Sequence, residues 1–296
     1  MVTTALREKM RAILRARNYS PRTEETYIAA VVHFARHFGT PPDQLGAEHV
    51  IAYQVWLRDQ KHASHVLFNQ IVCALRFFYS EVLARHDVVE RIHYARHERH
   101  LPVVLSVSET IDFLSSIDLP RYRILLMTIY ATGLRLSEAL ALRAADIDSR
   151  RMVVRVRQGK GKKDRYVPLS PLLLEMLRDH WRREHLRDLL FPRPSDPSLP
   201  ASPTTVQKYM QRFTAKAGLT KKITPKTLRH CYATHLIEQG TSTRVVQVLL
   251  GHSNVHTTET YTHCVTLDVG QRGRSPRTRF ERRPKDLWRV RRDRRA

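Results

Sequence analysis

Cysteine, glycine and acid are in short supply in this chain, and long apolar runs are missing. The three cysteines, Cys73, Cys231 and Cys264, are an odd number without CxxC spacing. They suggest neither a disulfide framework nor a zinc ribbon, and they point to a reducing compartment. No stretch approaches the ~18 uninterrupted apolar residues that a membrane span requires, and the opening MVTTALREK has no apolar signal core. The expectation is a soluble cytoplasmic protein with no membrane association. Acid is outnumbered: 28 Asp and Glu face 51 Lys and Arg, a formal net charge of +23 over 296 residues. Such an excess favours a polyanionic partner, because each phosphate neutralised by a cation releases condensed counterions. The apolar fraction, 42%, is ordinary for a globular protein, and the length is comfortable for two cores.

What is present is mostly helical pattern. Ser20 and Pro21 open a helix, since Ser accepts from orphan amides and Pro at the first helical position loses no hydrogen bond. Tyr27, Val31, Phe34, Ala35 and Phe38 then recur at three-to-four spacing until Gly39. Further helices near 6–17, over 47–58 and from about Ser64 to Val82 complete an expected all-α domain of four helices over 1–95. The stretch RIHYARHERH is basic and non-periodic, and 96–102 reads as a linker closed by Leu101 and Pro102.

A second domain, 103–270, opens on a capping box formed by Ser106 and Glu109. Residues 121–142 are helical and largely apolar; 152–157 and 165–169 are short and β-branched. The latter two flank QGKGKKD, a hairpin with a basic tip. Helices resume at Ser170-Pro171, Ser202-Pro203, Thr224-Pro225 and near Thr241. The expected fold of this domain is mainly α, an α+β arrangement with a small antiparallel sheet. In the tail, 271–296, twelve Arg or Lys face three acids, so +9 of the charge lies there. A like-charge run repels itself; the tail reads either as a disordered solubilising segment or as a phosphate-contacting arm.

Five of the ten glycines fall in four short motifs: Gly133 in ATGLRLSE, Gly159 and Gly161 around Lys160, Gly240 after ATHLIEQ, and Gly251 in LLGHS. In a glycine-poor chain that clustering marks constrained backbone. Beside them stand polar residues for which a core has no use. In chain order the sequence offers Arg135, Lys160, Lys226, Arg229, His252 and Tyr261. Their types match what cutting a phosphodiester without a metal requires. Cations must hold the non-bridging oxygens as charge builds, and Arg does so with a planar fork that never deprotonates. An acid must protonate the departing oxygen, and a Lys proton is transferable. A Tyr nucleophile forms an ester that keeps the bond energy for rejoining.

Together these motifs resemble the tyrosine recombinase (phage integrase) family, with a lean toward transposon- and integron-type integrases. ATGLRLSEAL looks like the family's first arginine motif and GKGKKDRYVPL like its hairpin lysine motif. TPKTLRHCYATHLIEQG resembles its His-x-x-Arg helix, and LLGHSNVHTTETYTH the segment of the last histidine and the nucleophile. The resemblance covers about 101–263, and the N-terminal helices, with SPRTEETY opening one, are similar to the family's DNA-clamping core-binding domain. It implies that Arg135 and Arg229 grip the scissile phosphate and that Lys160 reaches into the minor groove to protonate the 5′ oxygen. It further implies that His252 donates to a non-bridging oxygen, while Tyr261 attacks and is left as a 3′-phosphotyrosine. Glu138 resembles the family's buried acid that orients the arginines; it reads equally as a surface partner of Arg135 at i,i+3.

One position departs from the pattern: the family more often carries His where this chain has Lys226. A lysine with an ordinary pKa of ~10.4 is charged near neutral pH, so Lys226 is assigned to phosphate stabilisation and the general base stays open. His230, His235 and His263 read as structural polar residues, and neither a metal nor a cofactor is expected. The implied partner is double-stranded DNA. Four protomers would act on two DNA sites through a Holliday junction, the free protein being monomeric or weakly associated. Two other readings stand beside this one. The first is a type IB-like nicking and relaxing enzyme; the second is a catalytically silent DNA-binding protein.

Overall fold

The computed structural model describes residues 4–95, 101–157 and 164–251. They divide between residues 99 and 100 into two units, each built on its own apolar core.

The first unit is all helical: α1 (Thr4–Ala16), α2 (Pro21–Phe38), α3 (Ala47–Asp59), α4 (His65–Phe77) and α5 (His86–Glu90). Ser20 caps α2 by accepting from the Thr23 amide at 3.1 Å, and Gly39, at φ 65°, ends it. Leu14, Phe34, Val50 and Leu75 meet in the core. Glu24 of α2 is buried and accepts from Arg11 and Arg15 of α1, tying the first two helices together.

Two features differ from the sequence expectation. The run from Ser64 to Val82 is not one α-helix, because α4 passes at Phe78 into a π-helical turn, Phe78–Val82. The π turn carries Phe78, Tyr79 and Val82, all of them buried. The Tyr79 hydroxyl donates to the carbonyls of Pro42 and Leu45, at 3.2 and 3.0 Å. The short α5 is a further helix beyond the expected four; with Val88 its buried residue, it is too brief to display a period.

The second unit begins with α6 (Val107–Ser116), whose capping box is formed as expected: Ser106 Oγ accepts from the Glu109 amide and Glu109 accepts from the Ser106 amide. The apolar stretch 121–142 is two helices rather than one, α7 (Pro120–Thr132) and α8 (Leu136–Leu140), broken at Gly133. Strands β1 (Ile147–Asp148), β2 (Val153–Val156) and β3 (Arg165–Pro168) form an antiparallel sheet in that order. Val154 pairs with Val167, and both are fully buried.

Helix α9 (Pro171–Arg183) follows, then β4 (Pro192–Arg193) and β5 (Asp196–Pro200), which make a second two-stranded sheet. The sequence pattern held no sign of it, since β5 is a largely exposed DPSLP without apolar alternation. The chain ends its described part with α10 (Pro203–Lys216), α11 (Pro225–Glu238) and α12 (Thr243–Leu250). Helix α11 packs on α7, and α12 packs on α11 through Ala233, Val246 and Leu250. Among the described residues no helix is long and apolar enough to cross a membrane.

Candidate active site

The site begins at Gly133. Its φ of +65° is a left-handed conformation that glycine adopts without strain, and a Cβ there would lie 2.4 Å from the ring of Tyr232 on α11. Ending α7 at this point frees the Gly133 carbonyl, which accepts from Arg229 Nη1 at 2.6 Å. Two residues on, Arg135 stands at the start of α8, and Glu138 lies one turn later. Glu138 accepts from the Arg135 amide at 2.8 Å and from Arg135 Nη1 at 2.7 Å.

Of the two readings of Glu138, the buried one holds: its side chain is 7% exposed and bonded to more than its neighbour. Arg165, the first residue of β3, donates to both its oxygens, Nη1 to Oε1 at 3.0 Å and Nη2 to Oε2 at 2.7 Å. Arg229 Nη1 lies 3.8 Å from Oε2. Burial alone would push the Glu138 carboxyl upward. The hydrogen bonds from Arg165 and from the Arg135 amide, with the charge behind them, overcome that and bring it to about 2.

The end of α12 closes the cluster. Its last carbonyls have no intrahelical partners and carry the negative end of the helix dipole. Leu249 O accepts from Arg165 Nε at 2.9 Å, Leu250 O from Arg229 Nη2 at 2.7 Å, and Gly251 O from Arg135 Nη2 at 3.4 Å. Three consecutive carbonyls therefore meet three different arginines, drawn from three distant stretches of chain. Arg229 is buried, whereas the Arg135 side chain keeps 27% of its surface open. Three guanidinium groups around one carboxylate leave positive charge in excess, which is what an anion requires of a site.

Lys226 lies in the first turn of α11, three residues before Arg229, with its side chain exposed. Thr224 caps that turn, accepting from the Thr227 amide at 3.2 Å, while Thr227 Oγ1 accepts from the Thr224 amide at 3.1 Å. His230 is half-buried; burial, then the charges of Lys226 and Arg229, push its imidazole down to about 4 and keep it neutral at neutral pH. His235 is structural, as expected. Its Nε2 donates to Leu105 O at 2.9 Å, which leaves Nδ1 to accept from the Tyr130 hydroxyl at 3.0 Å.

Of the six residues singled out in the sequence, Arg135 and Arg229 are brought together around Glu138, and Lys226 stands one turn from Arg229. Lys160, His252 and Tyr261, with His263, lie outside the described residues. The strands on either side of the Lys160 segment are in place, and Gly251 directly precedes His252. Sequence reasoning missed Arg165. The signal available was register: Arg165 shares a face of β3 with Val167 and then Leu169, both buried, so an arginine stands where the alternation calls for an apolar residue. Among the described residues no group of three His, Cys, Asp or Glu is placed to hold a metal ion.

The phage integrase family model matches residues 104–266, and that of the phage integrase N-terminal SAM-like domain matches residues 6–86. The chain belongs to the phage integrase family, the tyrosine recombinases. This recombinase is 42% identical over 270 residues to a putative integrase/recombinase of Sinorhizobium fredii, covering 91% of this chain and 87% of that one. It is 33% identical over 266 residues to the tyrosine recombinase XerD of Shewanella oneidensis, covering 84% and 88%.

Among solved structures, the fold is shared with a lambda integrase dimer bound to a core site, at a TM-score of 0.70 and 19% identity, over 93% of this chain and 99% of that one. It is shared also with XerH bound to a palindromic difH substrate in a post-cleavage complex, at a TM-score of 0.69 and 24% identity, over 84% and 78%.

Proposed function

We propose that this recombinase cleaves and rejoins double-stranded DNA through a 3′-phosphotyrosyl bond at Tyr261 and exchanges strands through a Holliday junction. The observation that carries the reading is the arginine cluster itself. Arg135 and Arg229, held by Glu138 and by the end of α12, make a cationic seat from which the chain runs directly into His252 and on to Tyr261. In this reading both arginines, with Lys226, stabilise the charge that builds on the phosphate as the phenolic oxygen attacks. Lys160, between β2 and β3, gives its proton to the departing 5′ oxygen, and His252 donates to a non-bridging oxygen. The 5′ hydroxyl of the partner strand then attacks the phosphotyrosine and releases Tyr261.

The remaining parts follow from the same reading. Residues 1–95 serve as the DNA clamp, 96–102 as the linker and 103–270 as the catalytic domain, with 271–296 as a basic tail. Four protomers act on two DNA sites in the cytoplasm, without a cofactor. Support for DNA as the substrate comes from XerH and lambda integrase, which share the fold and are bound to their own DNA sites.

The test uses a DNA duplex nicked near the cleavage position, so that the released fragment diffuses away and the covalent complex accumulates. The expected result is a denaturant-resistant protein–DNA adduct, absent with Tyr261→Phe, and conversion of two intact sites into a junction. Relaxation of supercoiled DNA with no junction would move the assignment to a nicking and relaxing enzyme. Binding with neither product would leave a silent DNA-binding protein.

A further inference from the structure

Arg165 has no part in the steps above, yet every nitrogen of its guanidinium is engaged. Nη1 and Nη2 hold the two oxygens of Glu138, and Nε holds the carbonyl of Leu249. Its side chain is 10% exposed. A Cβ on Gly251 would fall 3.0 to 3.2 Å from Cδ, Nε and Nη1 of Arg165, so the end of α12 lies directly against the guanidinium. The residue therefore joins three elements: β3, which leaves the Lys160 segment; α8, which carries Glu138; and α12, which leads into His252.

The electrostatic consequence concerns Glu138. A buried carboxylate bonded to Arg135 and 3.8 Å from Arg229 draws on the charge of the two groups assigned to the phosphate. Arg165 meets it with two parallel N–H bonds, the geometry in which a guanidinium satisfies a carboxylate most fully. We propose that Arg165 is a positioning residue which occupies Glu138, leaving the charge of Arg135 and Arg229 for the scissile phosphate, and anchors the end of α12 from which the His252–Tyr261 segment departs. The inference rests on the recombination mechanism proposed above.

Glu138 is the group whose titration reports on this role. The charged groups paired with it among the described residues are Arg135, Arg165 from β3 and Arg229 from α11. Tyr232, also on α11, has its phenol raised to about 12 by burial and stays neutral through the working range. Helices α7 and α10, which also pack on α8, contribute no ion pair to Glu138 among the described residues. Helix α12 brings the carbonyls already described.

The experiment measures single-turnover cleavage of nicked DNA by the full chain between about pH 5.5 and 8.5, for the wild type, Arg165→Met, Arg165→Lys and the double variant Arg165→Met with Glu138→Gln. Thermal unfolding of each checks that it is folded. Arg165→Met is expected to cleave on the order of 10- to 100-fold more slowly, the size of effect seen when a supporting partner is removed. Arg165→Lys, which keeps the charge but not the fork, falls between. In Arg165→Met burial lifts the Glu138 carboxyl, so its protonation at the acid end removes the unbalanced charge. The gap to the wild type therefore narrows as pH falls, and Glu138→Gln in the same background closes part of it at pH 8.

A folded Arg165→Met that cleaves at the wild-type rate overturns the proposal. So does a loss that is the same at every pH and untouched by Glu138→Gln. If Arg165→Met does not fold, Arg165→Gln, which also removes the charge, carries the same pH comparison. A wild-type chain that forms no adduct overturns the recombination reading itself, which is a distinguishable result.

Discussion

At the scale of single residues the site is an ion cluster in which one carboxylate organises three cations. Glu138 titrates near 2 in the folded chain against 4.5 ordinarily, so its contribution to stability is present above pH 4.5 and is lost as pH falls toward 2. The shift corresponds to roughly 3 kcal/mol. Glu138→Gln is therefore expected to destabilise the second unit by roughly that amount at pH 7, because three arginines then share no counter-charge. Urea unfolding at pH 7 and pH 3 checks the sign: the difference between wild type and variant should shrink at the lower pH.

The residue types and order of the cluster were legible in the sequence because Arg135 and Arg229 stand in motifs. Arg165 was marked only by its register with Val167 and Leu169, and its partners, Glu138 and the Leu249 carbonyl, lie far away in the chain. Glu138 carried two readings until its burial decided between them.

At the scale of elements the caps were the most legible feature. Ser20, Ser106, Ser170 and Thr224 all stand where the sequence put them, and each accepts from the amide three residues on. Such local bonds are written in a few adjacent residues and need no tertiary partner. The breaks were less legible. Gly133 ends α7 by taking a left-handed φ of 65°, a local signal, but the requirement for glycine is set as well by Tyr232, about a hundred residues away, which fills the space a Cβ would need. The β4–β5 sheet likewise depends on pairing rather than on its own sequence.

The caps also supply a contrast that experiment can read. Thr224→Ala removes a bond at the start of the helix that carries Lys226 and Arg229, and is expected to cost about 1 kcal/mol and to slow cleavage. Ser202 stands at the matching position of α10 but its side chain makes no cap bond, so Ser202→Ala should stay within about 0.5 kcal/mol of wild type and leave cleavage unchanged. Equal effects of the two on stability would remove the cap from the explanation.

At the scale of the whole molecule the chain pairs a helical unit with a mixed unit and carries +23, of which +9 lies in 271–296. If the tail neutralises phosphates, deleting 271–296 lowers affinity for DNA. The fall of binding with salt then becomes shallower, by about 0.9 in log–log slope for each phosphate the tail had neutralised. An unchanged affinity and slope would assign the tail to solubility alone. The two-part organisation and the mainly helical character were readable from periodicity. The convergence of three arginines on the end of α12 required the folded chain, since their partners are backbone carbonyls that sequence does not mark.

The identity of the residue linked to DNA decides whether the phenolic oxygen of Tyr261 becomes bonded to it. The adduct formed on nicked DNA would be trimmed with nuclease, digested with protease and sequenced by mass spectrometry. The expected result is a nucleotide 3′-phosphate on the peptide containing Tyr261 and on no other. The same mass on the peptide of Tyr232, Tyr166 or any other residue would contradict it, as would a cleaved duplex with no linked peptide at all.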